Sequence, residues 1–588
     1  MRNCAYALVL GVCLFPALLF GQTDTVDVID YFDPGGGEGT LNNAVNAAIS
    51  GGTLSNTVFR LKPFGYYVLS ATITVPAGKK LTIVAPDPGT TQLTSPPMIV
   101  WTPADIDRTY NFNCFGDIYF KNIWILYATT NQTGAGTQVG TNLEISEDST
   151  DHKNVAVFDN VIFDYCNIGS GGGAVTVSAT HANLSFTNCY FRNLVDNHYR
   201  YYGRPVSFRF NTSGYHIDKA TFENCTFANV GYVYMQEGAE YTDTLIFNHC
   251  TFLNSIMFTL ESGWWHWLAV TNSVFVNAYM LGHIPGDTAS TPAGGALNID
   301  SVGTTNFNFA VPFTDAQRHI LFANNSYFTE QWLVDYYKPG SNVYSDTASA
   351  ANLPQPMPMM SEKTKTFFNN KTAYPYITMQ DVHDSTNPGF LIPPTNIDAI
   401  KEFLVRKWTD NSDLPAGGWA FDPHSDVIQG WPMNEQLRYT NSTLRTAGMG
   451  GFPLGDLYRW WNAIPTTYSN WKAQRDVEYA NIWNLLTNGP VAVEDEQPNI
   501  PLATELGQNF PNPFNPMTEI GYALSQRSNV TLRVYNILGI EVATLVSKVQ
   551  EAGKHYVFFD ASKMSSGIYF YRLEAGSVVI TKKMAFIK

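Results

Sequence analysis

An eight-residue phrase recurs through the middle of the chain. Phe186 opens FTNCYFRN, Phe222 opens FENCTFAN, Phe247 opens FNHCTFLN and Val270 opens VTNSVFVN, with weaker copies beginning at Phe120, Phe158 and Phe322. The steps from Phe158 to Val270 are 28, 36, 25 and 23 residues. A unit this short cannot bury its own apolar side, so successive copies must stack into a solenoid whose variable residues lie in loops. Strands in such a stack lie about 4.8 Å apart, and equivalent side chains then form ladders. The phrase predicts an internal ladder of Phe191, Phe227, Phe252 and Phe275. It also predicts a polar ladder of Asn193, Asn229, Asn254 and Asn277 at a bend, each amide bonding its neighbours.

Cys189, Cys225 and Cys250 fall on one further column with Ser273. Stacked thiols approach disulfide distance. Yet of seven cysteines, Cys4 and Cys13 lie in the leader, leaving an odd five whose spacing follows the rung and no metal pattern. Buried free thiols are the expectation.

Both ends carry export signals. Arg2 precedes an apolar run from Ala5 to Phe20, the layout of a cleavable signal peptide ending at Gly21. No later apolar run reaches the roughly 18 residues needed to span a bilayer. The mature chain is therefore expected outside the cell, secreted or on the surface, after passage through the periplasm. Its net charge of −15 and only 14% charged residues exclude nucleic acid as a partner, because phosphates demand a basic face. At the far end, Gln508 opens QNFPNPFNP, followed by VTLRVYNILGIEVATLV, SSGIYFYRLEAG and TKKMAFIK. This run, from Leu506 to Lys588, resembles the C-terminal sorting domain of proteins exported by the type IX secretion system. The resemblance implies that secretion machinery as a partner and an immunoglobulin-like β-sandwich, which the short alternating runs separated by Gly, Pro and Asn also suggest.

The repeat region is similar to the right-handed parallel β-helix of the pectate-lyase-like superfamily. Thr40 and LNNAVNAAI put Leu41, Ala44, Val45, Ala48 and Ile49 on one face of a short helix capped by Thr40, which suits a plug for the first coil. The expected architecture is all-β: signal peptide 1–21, parallel β-helix 22–335, a mixed capping or accessory segment 336–488, a linker 489–505 and the sorting domain 506–588. Within the accessory segment, helices are expected over 397–408 and 470–486.

In that superfamily the ligand lies along one exposed sheet, which here runs through VSFRF, VYMQE, FTLES and YMLGH. The register places Arg209, Gln236 or Glu237, Glu261 and His283 on successive rungs. A carboxylate beside an arginine supports acid–base work on a sugar polymer. The family's catalytic signatures do not transfer, since Arg204 to Arg209 reads RPVSFR without the lyase spacing or its Asp partners, and stacked or solvated polar side chains are the commoner fate of such residues. Aromatics supply a second candidate surface. Tyr201 and Tyr202 lie in HYRYY, and Trp264, Trp265 and Trp267 in SGWWHW. These rings suit either pyranose contact or core plugging. No cofactor is implied; Ca²⁺ is the one ion an acidic chain would need to approach a polyanionic glycan. Three functions follow: a protein that contacts extracellular polysaccharide, a structural surface protein or adhesin, and a divergent polysaccharide lyase or glycoside hydrolase.

Overall fold

The computed structural model describes residues 24–587 apart from 88–94, 102–109, 130–142, 148–152, 168–172, 196–202, 210–214, 236–239, 258, 262–263, 283–294, 303–310, 339–355, 394–396, 399, 402, 405–430, 432, 434, 462–465, 490–502, 510–511 and 515. The signal peptide and most of the linker lie outside the described residues. From Asp24 to His383 the chain winds into a parallel β-helix with three stacks of strands. The first stack runs from Asp24–Asp27 to Ile377–His383 and the second from Tyr66–Leu69 to Val274–Val276. The long strand His319–Phe328 closes the second stack and also belongs to the first. The third stack runs from Ile73–Val75 to Leu260–Glu261. The coil thus continues beyond residue 335, because Ile377–His383 pairs in parallel with His319–Phe328.

The repeated phrase explains why the rungs stay in register. Phe163, Phe191, Phe227, Phe252 and Phe275 form one face-to-face column with centroids 4.8, 5.0, 5.2 and 4.4 Å apart. Phe158, Phe186, Phe222 and Phe247 form a second, at 4.8, 4.7 and 4.6 Å. The corner asparagines Asn193, Asn229, Asn254 and Asn277 all take positive φ, between 51° and 57°. Asparagine tolerates that left-handed backbone better than other side chains with a Cβ. Asn277 Nδ2 donates to Asn254 Oδ1, and Asn254 Nδ2 to Asn229 Oδ1, both at 2.9 Å. Cys189, Cys225 and Cys250 are buried free thiols. Each donates to a carbonyl of the preceding rung, at Phe158, Phe186 and Phe222 respectively.

The helix Thr40–Ser50 lies against the coil with Leu41, Val45 and Ala48 buried. Its expected cap needs correction. Gly39 occupies the N-cap in the left-handed region and no side chain caps the helix. Thr40 is instead the first helical residue, and its buried hydroxyl has no partner.

The accessory segment lies along the side of the coil. Outward residues of the second stack, among them Val100, Trp124, Ile162, Leu253 and Val274, share one core with Leu437, Tyr439, Leu454, Leu457, Trp460 and Trp471. The expected helix over 470–486 is Thr467–Asn488, and its Ile482, Leu485 and Leu486 pack on Ile246, Ala269 and Leu321 of the first stack. Part of the helix expected over 397–408 is helical at 397–398, 400–401 and 403–404; the rest lies outside the described residues. The sorting domain is antiparallel, with sheets of three and four strands around Ile520, Leu532, Val534, Tyr571 and Met584.

Candidate functional site

The third stack places a polar column on its outer face. Pairing aligns Thr74 with Asn113, Asn113 with Glu144, Glu144 with Thr176, Thr176 with Ser207, Ser207 with Met235 and Met235 with Glu261. The neighbours in each strand, such as Val75, Cys114, Ile145, Val177 and Phe208, point into the core. Side chains in a strand alternate between faces, so Thr74, Asn113, Glu144, Thr176 and Ser207 lie on the side away from the core; Thr74 is exposed and Asn113 half-buried, whereas Glu144, Thr176 and Ser207 are buried.

Arg209 follows the strand Arg204–Phe208 and continues its pairing, donating its backbone N–H to Val177 O at 2.9 Å. Its guanidinium is 45% exposed. It grips Glu144 with two parallel bonds, Nε to Oε1 at 2.8 Å and Nη2 to Oε2 at 2.5 Å. Ser178 Oγ donates to the same carboxylate. This forked geometry raises the Arg209 pKa, first through the hydrogen bond to Glu144. Ser146 Oγ donates to Asn113 Oδ1 at 2.7 Å beside it.

The described carboxylate beside Arg209 is Glu144, from an earlier rung of the coil, which was not among the expected site residues. The sequence signal was present in the alternation of LEIS, residues 143–146, where Glu144 sits between two core positions. Glu261 belongs to the same column four strand steps from Glu144. At about 4.8 Å per step that is roughly 19 Å. Glu237, His283, Tyr201 and Tyr202 lie outside the described residues, as does Gln236.

The three tryptophans are not an exposed platform. Trp265 is 1% exposed. Its Nε1 donates to Asn298 O at 3.2 Å, and its ring centroid lies 6.1 Å from that of Tyr234 within the coil core. Trp264 is also buried. Trp267 is half-buried and stacks on His319 at 3.7 Å, with Trp483 of the accessory helix at 6.4 Å. Trp265 thus plugs the coil core, while Trp267 docks the accessory helix.

Charged groups elsewhere on the coil are buried under the accessory segment. Arg192 bonds Glu435 at 3.1 Å and lies 3.5 Å from Asp164. Tyr190 donates to Glu435 at 3.1 Å. Burial raises the Asp164 carboxyl to about 6 although Arg192 opposes it. Asp456 accepts from Thr226 Oγ1 and from the Arg459 N–H, both at 2.8 Å, and burial raises it to about 7. Glu478 accepts from Asn248 at 2.7 Å and from Trp471 at 3.1 Å, and lies 3.2 Å from His249. These groups are closed off from solvent and join the segment to the coil.

No helix among the described residues is long and apolar enough to cross a membrane. No curated protein matches the chain. Residues 508–588 match the secretion system C-terminal sorting domain family. This tail indicates export through the type IX machinery to the cell surface or the extracellular space, and the strands ahead of it form a parallel β-helix.

Proposed function

We propose that the exported coil binds extracellular polysaccharide without cleaving it, through the outer face of its third stack. The observation that carries this reading is the row of exposed or half-buried polar groups Thr74, Asn113, Ser146 and Arg209 along this face, with Arg209 held from behind by the buried Glu144 and Ser178. Such groups match the donors and acceptors of sugar hydroxyls. The outer face of the second stack is closed by the accessory core, which leaves it unavailable. A net charge of −15 favours neutral glycans over polyanions.

For hydrolysis, the reading without cleavage is supported by the engagement of Glu144 with Arg209 and Ser178. A glycosidase needs two carboxyl groups about 5 to 9.5 Å apart. The strand positions of Glu144 and Glu261 are four steps apart, roughly 19 Å. A second reading, a stiff surface rod or adhesin, draws on the burial of Trp264 and Trp265 and on the covered second stack.

The test is incubation of the mature chain with a polysaccharide panel, following ultraviolet absorbance of unsaturated sugars, reducing ends and bound glycan. Retention of a neutral glycan that weakens in Arg209→Ala supports binding. Newly released ends would refute the non-catalytic reading, and failure to bind any glycan would leave the rod.

A further inference from the structure

At the corner between the third and first stacks, three side chains from two successive rungs converge on one point. His181 Nδ1 lies 2.9 Å from Asp218 Oδ1, His216 Nε2 lies 3.2 Å from His181 Nδ1, and His216 Nε2 lies 3.5 Å from Asp218 Oδ1. From this geometry we infer a binding site for a late first-row divalent ion such as Zn²⁺, held by His181, His216 and Asp218.

The distances fit the chemistry. Ligand atoms about 2.0–2.1 Å from a tetrahedral Zn²⁺ sit about 3.3–3.4 Å from one another, close to the three observed edges. Two imidazoles with one carboxylate suit Zn²⁺, Ni²⁺ or Cu²⁺, whereas Ca²⁺ takes six to eight oxygens. A single shared proton leaves one pair of lone pairs facing: His216 Nε2 and the carboxylate if His181 Nδ1 carries it, His181 and Asp218 if His216 Nε2 does. With a proton on each nitrogen both N–H groups donate to Asp218 from only 3.2 Å apart. A cation among the three lone pairs replaces these crowded contacts with three ligand bonds.

The backbone supports the same arrangement independently. Pairing between the strands Ala182–Thr187 and His216–Glu223 slips at this point: Ala182 pairs with Ile217 and Asn183 with Lys219, so Asp218 is the extra residue of a β-bulge. A bulge re-aims the side chain it carries. His181 itself takes φ of 60°, an uncommon conformation for a residue with a Cβ. The His216 ring is held flat against Tyr241, centroids 5.0 Å apart and planes within 3°. It meets His181 edge-on at 78°. The side chains are 39%, 13% and 29% exposed for His181, His216 and Asp218. That leaves an approach for the ion and an open position for a water or an external ligand. Bound there, the ion ties one rung to the next at a corner where the ladder pairing is interrupted.

The experiment is titration of the metal-free mature chain with Zn²⁺ by isothermal calorimetry, alongside His216→Ala and Asp218→Asn. X-ray absorption of the loaded protein reports the ligands. The expected result is one Zn²⁺ per chain at this site with nitrogen and oxygen ligands and no sulfur. Each substitution should weaken it by at least ~10-fold, the least expected when even an outer-shell partner's loss costs that much. Circular dichroism confirms that the variants fold; Asp218→Asn keeps size and polarity and serves if His216→Ala does not. Undiminished Zn²⁺ binding in a folded variant, sulfur ligation, or no stoichiometric binding by the unsubstituted chain would each overturn the assignment.

Discussion

Phe227→Ala tests the stacked-rung account most directly. Phe227 is fully buried. It stacks on Phe191 at 5.0 Å and on Phe252 at 5.2 Å, with planes within 6°. It also meets Phe222 and Phe247 edge-on at 5.7 and 6.1 Å. Truncating a buried phenylalanine costs about 3–5 kcal/mol. Two lost stacking partners place this site near the middle of that range or above, since each such pair contributes roughly 0.5–1.5 kcal/mol beyond its area. A rung contacts only its neighbours, so the loss is local. About 4 kcal/mol then corresponds to a rise of nearly 1,000-fold in the local opening constant. Native-state hydrogen exchange reads this directly. The amides of Thr226 and Thr251, which donate to Cys189 O at 3.0 Å and Cys225 O at 2.9 Å, should lose protection. The amide of Asp117, bonded to Lys79 O several rungs away, should keep it. Phe227→Leu fills most of the space and should retain most protection. Unchanged exchange at Thr226 and Thr251 would refute the ladder, and equal loss at Asp117 would refute its locality.

Docking of the accessory segment should depend on pH through Asp456. Its carboxyl titrates near 3.8 when unfolded and at about 7 when folded, so the folded state holds its proton over that window; its stabilisation is full below pH 4 and is lost as pH rises through 7. Asp456→Asn should flatten that decline in denaturation midpoints, and an unchanged slope would assign it to other groups. Arg445 bonds Glu519 of the sorting domain at 2.9 Å, both buried, with its guanidinium 5.1 Å from Tyr556 and 5.0 Å from Phe558. Arg445→Ala removes the bonded partner of buried Glu519, leaving only the field of Arg438, and should weaken tail docking by up to about 3–5 kcal/mol. Calorimetry should then resolve a separate tail transition; a single unsplit transition counts against the contact. Deletion of residues 506–588 in the native host should hold the protein in the periplasm, as fractionation would reveal, whereas undiminished surface display would contradict the sorting role.

The sequence by itself determined the coil, its internal ladders and the export tail. Those features rest on local rules repeated many times: an aromatic every rung, an asparagine wherever the corner needs positive φ, and alternation within short strands. The Phe191 to Phe275 column and the Asn229 to Asn277 ladder therefore lie where the phrase put them, while Asn193 donates to Asp164 instead. Tertiary structure decided what each outer face meets. The tryptophans of SGWWHW read as contact residues or plugs with equal right, because exposure depends on how wide the coil is and what covers it. Glu144 could be matched to Arg209, 65 residues later, only once the intervening loops had fixed which rungs are neighbours. The cluster of His181, His216 and Asp218 was hidden for the same reason. Its spacing fits no local metal motif, and its convergence depends on a one-residue bulge that no periodic pattern encodes. Repetition writes the interior into the sequence, while loop length and bulges, which break the repeat, set the surface where chemistry takes place.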